Sequence, residues 1–249
     1  MSSLNGGYIG KDVLGTWDRH WNLCVLALSH ITAASVPTDK SQTGAVITEE
    51  GTSAIATTQT KFTTKSMHFV GTVGENFALA SPSDLGNTFD SNFTFSCWFR
   101  TTDLTGANTL FRVSGSGPYV SINVQPDGRS DINIDTDAAA YVGVRSATGV
   151  IIVNTWHWIG FQRIGDEWNL YIDGIWRAVG TAAGGFGTLT DSEIGQDVVT
   201  SPMVGDLSEM LVHTTSDIDL TDVPTKSHPL YGVTGVHGVQ QDGLIGVYG

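Results

Sequence analysis

A chain of 249 residues with 40% hydrophobic side chains can bury roughly three quarters of its unfolded surface around one core. Its 30 glycines and 15% charged residues are not helix-bundle numbers; Thr, Ser, Val, Ile and aromatics alternate through most of it, which favours strands. Its 25 acidic against 12 basic residues, a net charge of −13, argue against nucleic acid and anionic membranes as partners. The charges are scattered, as on a solvated surface rather than an acidic tail.

Residues 1–16 are rich in Gly and Ser and read as an arm. They show no basic segment followed by an apolar one, so the expectation is synthesis in a cytosol without a signal peptide. The longest early apolar run, 23–28, is far too short to span a bilayer. Strands are expected at 22–29, 67–69, 77–80, 93–100, 109–113, 119–124, 131–134, 141–145, 155–163 and 207–213, punctuated by Gly, Asn, Asp and Pro. In FTFSCWFR, Phe93, Phe95, Cys97 and Phe99 share one face, and Thr94, Ser96, Trp98 and Arg100 the other. No helix is expected beyond a turn near 216–222. The pattern predicts an all-β protein, a single antiparallel jelly-roll β-sandwich over 17–222. Short arms flank it, 1–16 and the Gly-rich, almost uncharged 223–249, expected to dock on a neighbour first and on this sandwich second.

The stretch DEWNLYIDGIWRAVG, 166–180, reads as a hairpin around Asp173-Gly174, because a type I′ turn needs φ > 0 at both positions. A two-residue loop pairs Ile172 with Ile175, Leu170 with Arg177 and Trp168 with Val179 on one mostly apolar face. Tyr171 then lies opposite Trp176 on the side of a half-buried sheet that should be polar. Cover by another part of the chain is the first expectation for this pair, an assembly contact the second. The third is a sugar platform, with Asn169, Asp173 and Arg177 beside the rings.

Residues that carry chemistry are sparse. The carboxylates of DINIDTD (Asp131, Asp135, Asp137) and GDLSE (Asp206, Glu209) lack the spacing of a glycosidase pair. GSG at 115–117 lacks the full nucleophile elbow, and GGFG at 184–187 lacks a following helix. His157, between Trp156 and Trp158, is expected to pack or hydrogen-bond within the sandwich. Cys24 and Cys97 sit in apolar runs and are expected as buried thiols, with a lone bridge between them left open. The chain is not expected to be an enzyme.

The ordered blocks TKFTTKSMHFVG, FALASPSDL, NFTFSCWFRTTD, NTWHWIGFQRIGDEWNLYIDGIWRAVG and GDLSEMLVH resemble laminin-G-like, concanavalin A-like jelly rolls over about residues 17–220. The fold alone implies little about activity, since such sandwiches serve as lectins, glucanases, adhesins and spacers. The resemblance raises calcium as a cofactor, held by loop carboxylates. Two of the usual positions are depleted: FVGTVGENF has Val70 at the first acid and Glu75-Asn76 near the second, and Leu207-Ser208-Glu209 replaces I-D-E. Asp39 and Glu209 remain as metal candidates, and no bound metal is expected. NGGYIG, NLCVLALSH and TQTKF are similar to segments of phage virion proteins with this fold. That implies a non-enzymatic virion component, a capsid decoration or a tail or fibre part, assembled in a host cytoplasm. Its partners would be other virion proteins or copies of itself in a homo-oligomer. The alternative is a lectin-like module that recognises host-surface glycans.

Overall fold

A computed structural model describes residues 23–28, 36–41, 43–51, 53–56, 59–62, 65–197 and 201–224. The arm at 1–16 and all of the tail beyond Pro224 lie outside the described residues. In chain order the strands are β1 (Cys24–Leu28), β2 (Ile47–Glu50), β3 (Ala54–Ala56), β4 (Ser66–Val70), β5 (Asn76–Leu79), β6 (Phe93–Thr101), β7 (Asn108–Ser114) and β8 (Tyr119–Val124). They continue with β9 (Ser130–Asp135), β10 (Val142–Arg145), β11 (His157–Ile164), β12 (Glu167–Ile172), β13 (Ile175–Thr181), β14 (Asp191–Ile194) and β15 (Val204–His213). Two 3-10 turns, Pro82–Leu85 and Thr88–Asp90, lead into β6. No helix among the described residues is long and apolar enough to cross a membrane.

The strands form two antiparallel sheets that face each other as a jelly-roll sandwich, as the alternation predicts. Sheet 1 runs β13-β12-β11-β6-β15-β4-β3, with β1 also on β15; sheet 2 runs β10-β9-β8-β7-β14-β5-β2. The strands β2, β3 and β14 were not anticipated: ITEE, AIA and DSEI are short, and two of them are acidic, so they carry almost no periodic signal.

Between the sheets, Phe93, Phe95, Cys97 and Phe99 of β6 are all fully buried. The Phe95 ring stacks on Phe111 of sheet 2 and on Phe161 of β11, each at 5.2 Å. Each such ring contributes about 2–3 kcal/mol by leaving water. Cys24 and Cys97 are both buried and no disulfide joins them; burial pushes the Cys97 thiol far above its ordinary value.

The outer face of sheet 1 is also covered. Trp98 and Trp158 lie opposite one another on β6 and β11 and form a second cluster with Leu220, against which Phe62, Tyr171, Ile218 and Val223 pack. The segment after β15 is held there by sheet side chains. Thr94 Oγ1 donates to Thr215 O at 2.7 Å, and Gln162 Nε2 donates to the carbonyls of Ser216 and Ile218. Gly160 makes the close approach possible, since a Cβ there would stand 2.6 Å from Leu220 Cδ2.

Candidate functional site

Alternation in β8 sends Val120, Ile122 and Val124 into the core and turns Tyr119, Ser121 and Asn123 outward. In β9, Ile132 and Ile134 point inward and Asp131, Asn133 and Asp135 outward. Register then assembles a polar face across four strands. Tyr119 lies beside Asp135, Ser121 beside Asn133 and Asn123 beside Asp131. β10 places Gly143 next to Asn133 and Arg145 next to Asp131, and β7 places Arg112 next to Ser121.

These side chains hold one another. The Tyr141 hydroxyl donates to Asn133 Oδ1 at 2.7 Å and accepts from the Arg145 guanidinium at 3.0 Å. Arg145 Nε and Arg129 Nε reach the two oxygens of Asp131 at 3.5 and 3.2 Å. At the other margin the Arg112 guanidinium lies 5.3 Å from the Tyr119 ring centroid and pairs with Asp191 at 3.0 Å and Asp197 at 3.1 Å. Between the margins, Thr109 Oγ1 donates to Asn123 Oδ1 at 2.7 Å and Asn123 Nδ2 donates to Ser121 at 3.0 Å. Burial raises the Asp131 carboxyl above the ordinary range despite its two arginine neighbours. The Tyr119 phenol is raised too, by burial first and then by Tyr141 and Asp135. Ser121 and Asn123 form a buried floor, whereas Tyr141 is 49% exposed and Arg145 is exposed beside it. The arrangement offers fixed hydrogen-bond donors and acceptors beside an exposed ring, a match for ligands dense in hydroxyl groups. Among its members, the sequence singled out only Asp131 and Asp135, and for a different chemistry.

The hairpin at 166–180 keeps its turn, with Asp173 at φ 53° and Gly174 at φ 75°, and Tyr171 lies opposite Trp176 and Ile172 opposite Ile175. Beyond that the register departs from the expected one. A β-bulge between Leu170 and Tyr171 leaves Arg177 as the extra residue, so Leu170 pairs with Ala178 and Trp168 with Gly180. The shift sets Gly180 where sheet 2 closes in: a Cβ there would lie 2.6 Å from Val144 Cγ2. Tyr171 is half-buried against the Trp98–Trp158 cluster. Trp176 is 51% exposed, and its indole N–H donates to Asn169 Oδ1 at 3.1 Å. Asp173 is committed to the fold. Its Oδ1 accepts the Trp158 N–H at 2.9 Å and its Oδ2 the His157 Nδ1–H at 2.7 Å. Burial by itself would raise the Asp173 carboxyl, but these bonds outweigh it and hold the group below the ordinary range.

The Asp39 carboxylate accepts four hydrogen bonds, from the N–H groups of Ala27, Ser41 and Ala45 and from the Ser41 hydroxyl, all at 2.8–2.9 Å. Glu209 sits buried at φ 51° in the bulge of β15 between Ser208 and Leu211. No group of three or more His, Cys, Asp or Glu side chains among the described residues could hold a metal ion. Asp206, fully buried, binds Arg100 and His68, and Asp137 accepts the Gly185 N–H. His157 Nε2 accepts the Ile152 N–H at 3.0 Å, so Nδ1 carries the proton toward Asp173 and the one basic lone pair of the ring is already engaged.

No curated protein matches the sequence significantly. Among solved structures, the binding domain of botulinum neurotoxin serotype G aligns with a TM-score of 0.60 at 14% identity, over 80% of this chain and 49% of that one. This chain thus spans about half the length of that toxin binding domain. Domain 4 of the arabinanase AbnA from Geobacillus stearothermophilus, in complex with arabinotriose, aligns at 0.57 and 16% identity, over 76% and 91%. The CBM40 of the Ruminococcus gnavus IT-sialidase, bound to α2,3-sialyllactose, aligns at 0.52 and 12% identity, over 62% and 94%. At these identities the likeness is one of fold. A family profile matches residues 71–216, more than half of the chain and all of the polar face, and this protein belongs to that family, the concanavalin A-like lectin/glucanases superfamily.

Proposed function

We propose that this protein is a non-catalytic, lectin-like recognition module that binds a glycan on the outer face of sheet 2. The observation that carries the reading is the side-chain network Asn133–Tyr141–Arg145–Asp131, which fixes donors and acceptors around an exposed phenol ring. Sugar rings offer the complement, hydroxyls at the edge and an apolar face for stacking. Structural neighbours solved with arabinotriose and with sialyllactose support the reading. The occupied His157 and the ion-paired carboxylates support binding without hydrolysis. A glycan array probed with the intact chain tests the proposal. Tyr141→Ala and Arg145→Ala should each weaken binding at least about tenfold, the worth of 1.4 kcal/mol, without lowering the melting temperature. Retained binding in both variants would remove this face from the site.

A second reading, assembly into a virion as a self-associating surface component, is favoured by one feature. β13 is the edge strand of sheet 1, and its Ile175, Trp176 and Val179 are 53%, 51% and 48% exposed. Apolar side chains along a sheet edge suit pairing with another subunit. Such a module displayed on a particle would serve host attachment, which joins the two readings.

A further inference from the structure

The charges on the polar face of sheet 2 narrow what it accepts. Its three guanidinium groups are each already engaged. Arg112 holds Asp191 and Asp197, Arg129 holds Asp131 and Asp127, and Arg145 holds Asp131 and the Tyr141 hydroxyl. Asp135 shares the face, beside Tyr119, and among the described residues no cation pairs with it. Carboxylates therefore outnumber cations on this face, on a chain whose net charge is −13.

From this, and resting on the glycan reading above, we infer that the ligand is a neutral glycan and that the face discriminates against sialylated, uronic and sulfated sugars. An anionic group placed over Asn133 would have to draw Arg145 or Arg129 away from Asp131. That would strip one of two partners from a carboxylate that is 3% exposed, which costs more than the new pair gains. At the Tyr119 margin it would meet Asp135, and the Arg112 guanidinium there is already shared between Asp191 and Asp197. A neutral sugar asks for none of this. Its hydroxyls can join the existing bonds, donating to Asp135 and Asn133 and accepting from Arg145, while every ion pair stays in place. The discrimination is thus a repulsive element set by charge rather than by shape.

The test uses matched pairs presented to the full chain: lactose and sialyllactose, arabinan and polygalacturonate, unsulfated and sulfated galactan. The neutral member of at least one pair should bind at least about tenfold more tightly than its charged counterpart at about 0.15 M salt, and lower salt should widen the gap. Asp135→Asn should narrow the ratio between the neutral and the charged member roughly threefold, the worth of one surface charge interaction. Equal or tighter binding of the charged member overturns the inference and leaves the glycan reading standing. Binding to no carbohydrate at all overturns both.

Discussion

Replacing Asp173 with Ala tests how the hairpin is pinned to the sheet. The wild-type carboxylate accepts the Trp158 N–H and the His157 Nδ1–H, and the His157 side chain is only 6% exposed. Removing the acceptor leaves two donors unsatisfied, at about 1–3 kcal/mol each. The backbone adds a further cost. Asp173 stands at φ 53°, where an alanine pays roughly 1–2 kcal/mol and Asp or Asn is tolerated. Since the Asp173 side chain is 39% exposed, water can replace part of what is lost. The low end of each range is therefore appropriate, and the sum is about 3 kcal/mol. For a domain of this size that lowers the melting temperature by about 6–12 °C. Asp173→Asn keeps the turn and one acceptor and should lose only about 1 kcal/mol.

Thermal and urea unfolding followed by circular dichroism read both variants, and pH adds an independent check. The hydrogen bonds hold the Asp173 carboxyl below its ordinary value in spite of burial, so its contribution is fully present above about pH 4 and is lost as pH falls through the folded value. The difference between wild type and Asp173→Asn should accordingly close below about pH 4. A loss under about 1 kcal/mol for Asp173→Ala, or an equal loss in Asp173→Asn, would refute the reasoning.

Leu220→Ala should cost about 2–3 kcal/mol and red-shift tryptophan fluorescence, because Leu220 is 2% exposed and caps Trp98 and Trp158; an unchanged spectrum would mean that the segment after β15 does not seal this face. Trp176→Asp should leave stability within about 1 kcal/mol, since the ring is half exposed, while dissociating any oligomer built on β13; the sedimentation coefficient of the two proteins decides this, and an unchanged oligomer would exclude that edge.

Much of the fold was legible in sequence because it rests on local periodicity. The alternation of Phe93, Phe95, Cys97 and Phe99 placed one face of β6 in the core, and Asp173-Gly174 announced a turn that brings Tyr171 opposite Trp176. Such signals need only neighbours two residues away or φ > 0 at a named position. Other features depend on partners distant in the chain. The bulge at Arg177 answers the approach of Val144 to Gly180. The cover on Trp98 and Trp158 comes from Leu220, more than fifty residues beyond the end of β11. The polar face needs the registers of β7 to β10 before Tyr141, Asn133 and Arg145 become neighbours. Outward polar residues on a strand look alike whether they meet only water or one another. The sequence by itself therefore determined an all-β sandwich, its core residues and the hairpin turn. Only the tertiary structure decided which outward side chains form a connected surface, because register is set by the packing of both sheets together and not by the pattern of any one strand.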